Sequence, residues 1–226
     1  MKDGDKTQKL TAELIAALDD FKATIEDAPP ASPYKLTGLS AGPEEAVAGV
    51  LNLLHAQGFK FTFFDAMFEA NVGRGGPLGL CSWARKDQQT GKVTDVKVLQ
   101  ISRQPFLVDA IRVAAHEVGH AVTVPGEEFK QLDENLTQKE MMASEKYARW
   151  EVIAETVSFL VTKHFTFAAL NDYDREKVKQ ESQSYVKFWK GHALNLGLNY
   201  YMILGAATTI ITNAEAWMAE KAKEAA

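Results

Sequence analysis

His116-Glu117-Val118-Gly119-His120 sets two imidazoles four residues apart, with a carboxylate directly after the first. On an α-helix that spacing stacks both rings on one face, one turn apart, where they can share a single metal ion. Glu117 lies next to the pair on the helix surface, within reach of a water on such an ion, and can take that water's proton. Together these residue types support hydrolysis at zinc. Catalytic zinc takes three protein ligands and keeps a fourth position for water, so one further ligand must come from elsewhere in the chain.

Glu151 is the expected third ligand. It stands in Tyr147-Ala148-Arg149-Trp150-Glu151-Val152-Ile153-Ala154-Glu155, where Trp150, Ile153, Ala154, Val157, Leu160 and Val161 form an apolar stripe and Glu151 and Glu155 share its flank. Two glutamates on a helix are by themselves a solvated acidic face more often than a site; the histidine motif is what reverses that reading. Glu155 is then expected to accept a histidine N–H and fix the ring's tautomer, although the spacing allows the two glutamates to exchange roles. A donor for the developing oxyanion is also required, and Tyr185, His164 and Tyr147 are the candidates.

The elements that must position these groups can be read from periodicity. Val108, Ile111, Ala115, Val118 and Val122 recur at three- and four-residue steps, which predicts a helix from Pro105 to about Val124, stopped by Pro125-Gly126. The histidines project from a different face, away from that stripe, and are expected to lie outside the core. A second helix is predicted from about Thr137 to Phe165, opened by a capping box, Thr137-Gln138-Lys139-Glu140. Residues 79 to 86 and 93 to 102 read as two strands joined by the turn-rich segment Asp87 to Lys92. Val96 and Val98 alternate with Asp95 and Lys97, so one face of the second strand is buried and the other wet. Upstream, residues 11 to 26 form an amphipathic helix through Leu14, Ile15, Leu18, Phe21 and Ile25, and a proline- and glycine-rich loop follows. A helix from Pro43 to Gln57 ends at Gly58; Phe59 to Phe68 is ambiguous between strand and helix. Asn71-Val72-Gly73-Arg74-Gly75-Gly76 lacks the spacing of a phosphate loop and reads as a connection. From about Asp172 the chain is helical.

With those residues in place, the chain resembles the gluzincin branch of metallopeptidases, whose third ligand is a glutamate on a later helix with an acidic residue four positions on supporting a histidine. Tyr147 to Glu155 with Phe159-Leu160, and the later Ser184-Tyr185-Val186-Lys187-Phe188-Trp189, Ile203-Leu204 and Ala206-Ala207, look like ArdC-type antirestriction proteins. That family joins a single-stranded DNA-binding module to a zincin-like peptidase domain, and related domains occur in polyvalent proteins of phages and plasmids. The likeness covers about residues 78 to 218. A wider similarity to the ImmA/IrrE metallopeptidases rests on Gly79-Leu80-Cys81-Ser82-Trp83, a following strand and then the histidine helix. In such enzymes that strand borders the cleft, and an exposed edge would let a peptide add beside Val96 to Ile101.

Composition narrows the function further. The 226-residue chain carries a net charge of −5 and is 46% hydrophobic, enough to bury a substantial core. Its first 75 residues show no basic stripe interleaved with aromatics, so nucleic-acid binding has no support there, and the dispersed acidity is too modest for DNA mimicry. The lone Cys81 precludes an internal disulfide and points to a reducing, cytoplasmic setting. Lys2, Asp3, Asp5 and Lys6 precede an amphipathic pattern rather than the apolar core of a signal peptide. Residues 193 to 211 carry no formal charge, but Asn195, Gly197, Asn199, Gly205, Thr208 and Thr209 interrupt them, which favours a buried helix over a membrane span.

The expected architecture is α+β: a helical extension over residues 1–75, then a zincin-like domain over 76–226 with a small antiparallel sheet packed on helices. The expected activity is zinc-dependent hydrolysis of a polypeptide, of mobile-element or phage type. The alternative is a non-catalytic, metal-stabilised antirestriction protein that binds DNA or protein.

Overall fold

A computed structural model of the chain describes residues 3–33, 35–64, 78–86, 93–128, 140, 143–191 and 193–225. Their elements run α1 (Asp3–Ala23), α2 (Ala46–His55), β1 (Lys60–Phe64), β2 (Gly79–Lys86), β3 (Val93–Ser102), α3 (Leu107–Thr123), α4 (Glu145–Thr166), a 3-10 turn (Phe167–Ala169), α5 (Asp172–Phe188), α6 (Ala193–Leu198) and α7 (Tyr200–Glu224). The fold is mixed α and β, mostly helical, with one three-stranded sheet.

The sheet corrects two expectations. Its order is β1-β3-β2, with β1 parallel and β2 antiparallel to β3, so it is mixed rather than antiparallel. β3 is the central strand, with Val98 to Ile101 paired on both sides, and offers no edge to a peptide there. Lys60 to Phe64, left ambiguous by its short apolar run, is the parallel partner that occupies that edge. Such a pairing spans some forty residues of chain and leaves no local mark.

α3 lies within the molecule. Its stripe of Val108, Ile111, Ala115 and Val118 is fully buried, and from Ile111 through Ala121 the residues on its other faces are buried as well. The histidines are therefore buried too, because α4 covers the face that was expected to lie outside the core. The helix's first turn has no side-chain cap of its own. Its free N–H groups are met from the loop after α1: Leu107 N–H donates to Ser40 Oγ and Val108 N–H to the Leu39 carbonyl. The next helix is also shorter than expected. Ser144 is extended and its hydroxyl accepts from Tyr147 N–H, so α4 starts at Glu145 rather than near Thr137. Thr137 to Lys139, Asn71 to Gly76 and Asp87 to Lys92 lie outside the described residues.

One apolar cluster unites these elements. Leu18 and Phe21 of α1, Val50 and Leu54 of α2, Leu99 of β3, Ile111 of α3, Phe159 and Leu160 of α4, and Ile203 and Ile210 of α7 are all buried within it. Phe21 and Phe159 meet with ring centroids 4.6 Å apart. Each such side chain contributes about 1.5–3 kcal/mol by leaving water. α7 buries one face, with Ile203, Ala207, Ile210 and Ile211, while Tyr201, Gly205 and Thr209 face out. Among the described residues, no helix is long and apolar enough to cross a membrane.

Candidate metal centre

α3 and α4 cross at Gly119 and Ala154. A Cβ on the glycine would stand 3.3 Å from the Ala154 Cα and carbonyl oxygen, so the missing side chain permits a close backbone approach. Around that crossing the sequence is matched: His116 and His120 stand three before and one after Gly119, as Glu151 and Glu155 stand about Ala154. Crossing there sets the two pairs opposite one another.

The donor atoms of three side chains converge as a result. His116 Nε2 lies 3.1 Å from His120 Nε2 and 3.2 Å from Glu151 Oε2, and His120 Nε2 lies 3.5 Å from Glu151 Oε1. His116, His120 and Glu151 are all buried and grouped closely enough to hold a metal ion together. Glu155 stands behind them, with Oε2 accepting from His116 Nδ1 at 3.0 Å. The geometry thus separates two glutamates whose roles were interchangeable on spacing: Glu151 joins the triad and Glu155 orients a ring.

The surrounding charges need a counter-ion. Asp109, Glu117, Glu151 and Glu155 are four buried carboxylates, and Arg112 is the buried guanidinium beside them. Buried charge of one sign must be neutralised by protons or by a cation. Without a metal, protons do so. Burial alone would lower the His116 pKa, but hydrogen bonds and charge from Glu151 and Glu155 raise it to about 10. Burial opposes ionisation of Glu151, yet the two histidines hold it well below the usual carboxylate range. Burial opposes ionisation of Glu155 as well, and Arg112 and His116 outweigh it.

Glu117 differs from both. Burial raises its pKa above the ordinary value, against the lowering influence of His116 and His120. Its carboxylate is set against β2, where Cys81 N–H donates to it and a Cβ at Gly79 would overlap it. Ser102 N–H donates to the Leu78 carbonyl, so antiparallel alternation turns the Cys81 N–H away from β3 and toward Glu117. Gly79 is thus required by the site, not by a turn.

Of the three oxyanion candidates, Tyr185 is the one brought to the triad. Its hydroxyl donates to Glu151 Oε2 at 2.7 Å, and its ring centroid is 5.7 Å from that of His116. Burial and the neighbouring Glu151 raise its pKa well above the ordinary value, so it remains a donor. Tyr147 is one turn before Glu151 and packs on Trp189, with centroids 5.4 Å apart. His164 is far along α4 and pairs with Glu215 of α7 at 2.8 Å. Sequence reasoning passed over Asp109 and Arg112, and gave Gly79 only as part of a resemblance. Asp109, Arg112, His116 and His120 form a polar stripe at three- and four-residue steps through an apolar helix, a signal that could have found the first two. No family model, no curated protein and no solved structure matches the chain, so the site is read from its own chemistry.

Proposed function

We propose that the chain is a zinc-dependent metallopeptidase that hydrolyses peptide bonds, with His116, His120 and Glu151 as the metal ligands. One observation carries the reading: two imidazole nitrogens and a carboxylate oxygen converge beside a second, protonatable carboxylate, Glu117. The donor set suits zinc, and donor atoms about 2.1 Å from a tetrahedral zinc stand roughly 3.4 Å apart. The contacts of 3.1, 3.2 and 3.5 Å among these groups, the last two to different oxygens of Glu151, are of that order. A zinc ion held there supplies Lewis acidity, which brings water's pKa toward neutral and polarises a carbonyl.

The chain's own residues supply the proton transfers. Glu117 accepts the proton of the attacking water and returns it to the leaving amine, and a carboxylate raised toward neutrality serves in both directions. Tyr185 keeps its proton and can turn from Glu151 to a developing oxyanion. An extended substrate is expected along β2, whose edge away from β3 faces Glu117 and has no strand paired to it among the described residues. That edge replaces the one on β3 that the sequence suggested.

A second reading has its own support. His116, Glu117, His120 and Glu151 are each no more than 6% exposed, and such burial suits a metal held for structure in a non-catalytic antirestriction or binding protein. Glu117→Gln separates the two. The amide keeps the shape and loses the base, so zinc content and thermal midpoint should stay while peptide hydrolysis falls by a hundredfold or more, on the order of general-base loss. Equal hydrolysis by both proteins, measured as peptides released from a denatured proteome, removes Glu117 from the reaction.

A further inference from the structure

We infer that Arg112 is a positioning residue of the metal centre and that the loop Lys35–Gly38 holds it there, so that a segment remote in sequence helps set how tightly the centre binds its metal. The inference rests on the reading of His116 as a ligand.

Glu155 divides its two oxygens. Oε2 accepts from His116 Nδ1 at 3.0 Å, and Oε1 accepts from Arg112 Nη2 at 3.1 Å. Both side chains of the ion pair are completely buried. A carboxylate bonded at one oxygen only can rotate; bonded at both it presents a fixed acceptor to His116, which commits the ring's Nδ1 to donation and leaves Nε2 to face the triad. Arg112 therefore acts on the metal ligand through Glu155.

The guanidinium is itself fixed from the far side. Arg112 Nη1 donates to the Lys35 carbonyl at 3.1 Å and stands 3.9 Å from Asp109 Oδ1. Asp109, fully buried, accepts three bonds from the same loop: Thr37 N–H at 2.7 Å, Thr37 Oγ1 at 2.9 Å and Gly38 N–H at 2.8 Å. Gly38 adopts a φ of 72°, in the left-handed region that favours glycine, which turns its N–H toward the carboxylate. Lys177 of α5 secures the loop by donating to the Thr37 carbonyl at 2.7 Å. A continuous buried path thus runs from loop to Asp109, Arg112, Glu155 and His116. Its removal at one end leaves a charge without its partner at the next.

The test measures the zinc dissociation constant of the 226-residue chain by competition with a chromophoric chelator, with circular dichroism to confirm folding. Arg112→Met and Glu155→Gln should each weaken zinc binding about ten- to a hundredfold, the range for groups that orient a ligand. The double variant should be no weaker than the worse single, because both act through one carboxylate. Leu160→Ala, in the core of the same helix, should lower the thermal midpoint and leave zinc affinity unchanged, which a merely structural Arg112 would mimic. Wild-type affinity in folded Arg112→Met, or losses that multiply in the double variant, overturns the inference. If Arg112→Met does not fold, Thr37→Val decides, since it removes one of the three donors to Asp109: several-fold weaker zinc supports the path, and unchanged affinity overturns it. A wild-type chain that binds no zinc, or binds it equally after His116→Ala, refutes the metal centre itself and this inference with it.

Discussion

His116 is held by carboxylates at both ring nitrogens, which makes its proton the thing a metal must displace. In the metal-free fold its pKa is raised from 6.5 to about 10. A raised folded value means that its contribution to stability is fully present below 6.5 and is lost as pH climbs through about 10. Glu151 and Glu155, lowered from 4.5, behave oppositely: their contribution is present above 4.5 and is lost as pH falls through their depressed values. Zinc requires the neutral ring, so binding at pH 7 should release a proton and apparent affinity should rise from pH 7 to pH 9. Calorimetry in buffers of different ionisation enthalpy reads the proton directly; a flat affinity over that range with no release removes His116 as a ligand. At this scale the sequence was most legible where one helix carries the whole pattern, as in His116, Glu117 and His120. It left Glu151 and Glu155 interchangeable, because both share one face of α4 and only the partner helix's approach distinguishes them. Arg112 escaped notice because its partners, Lys35 and Glu155, lie far from it in the chain.

The approach of α3 to α4 is what turns two polar stripes into a site. Gly119 against Ala154 sets the helix separation, and the donor cluster, with contacts from 3.1 to 3.5 Å, depends on it. Gly119→Leu should force the helices apart at a cost of about 1–3 kcal/mol. Zinc affinity should fall with stability, since His116 and His120 move away from Glu151 together. Denaturant midpoints and chelator competition on the same samples check this; lost stability with full zinc affinity means that the crossing does not set the site. Element existence was legible wherever apolar period and length agreed, as in α3, α5 and the strands β2 and β3. Strand order was not. Whether β3 is an edge depends on β1, whose five residues carry no periodicity strong enough to separate strand from helix. The start of α4 was misplaced for a related reason: Thr137-Gln138-Lys139-Glu140 and Ser144 are both acceptable caps, and local sequence does not rank them.

For the whole molecule, charge and packing bear on what it meets. The chain has 25 Lys and Arg against 30 Asp and Glu. A surface that neutralises several phosphates needs a concentrated positive patch, and its affinity falls steeply with salt. The N-terminal helices, where a DNA-binding module would lie by the antirestriction likeness, instead send Leu14, Leu18, Phe21, Val50 and Leu54 into the common core. The one Phe, Tyr or Trp of these two helices is spent on packing: Phe21 is fully buried against Phe159 and is not available to stack on a base. Of the exposed lysines there, Lys9 pairs with Glu13 at 3.7 Å, which dilutes the local positive potential further. Binding to single-stranded DNA should therefore be weak at physiological salt, with any low-salt binding lost on adding salt. Fluorescence anisotropy with a labelled oligonucleotide measures it. Sub-micromolar binding at physiological salt that persists in Glu117→Gln would move the function from the buried carboxylate to the surface, and with it the case from peptidase to nucleic-acid-directed protein.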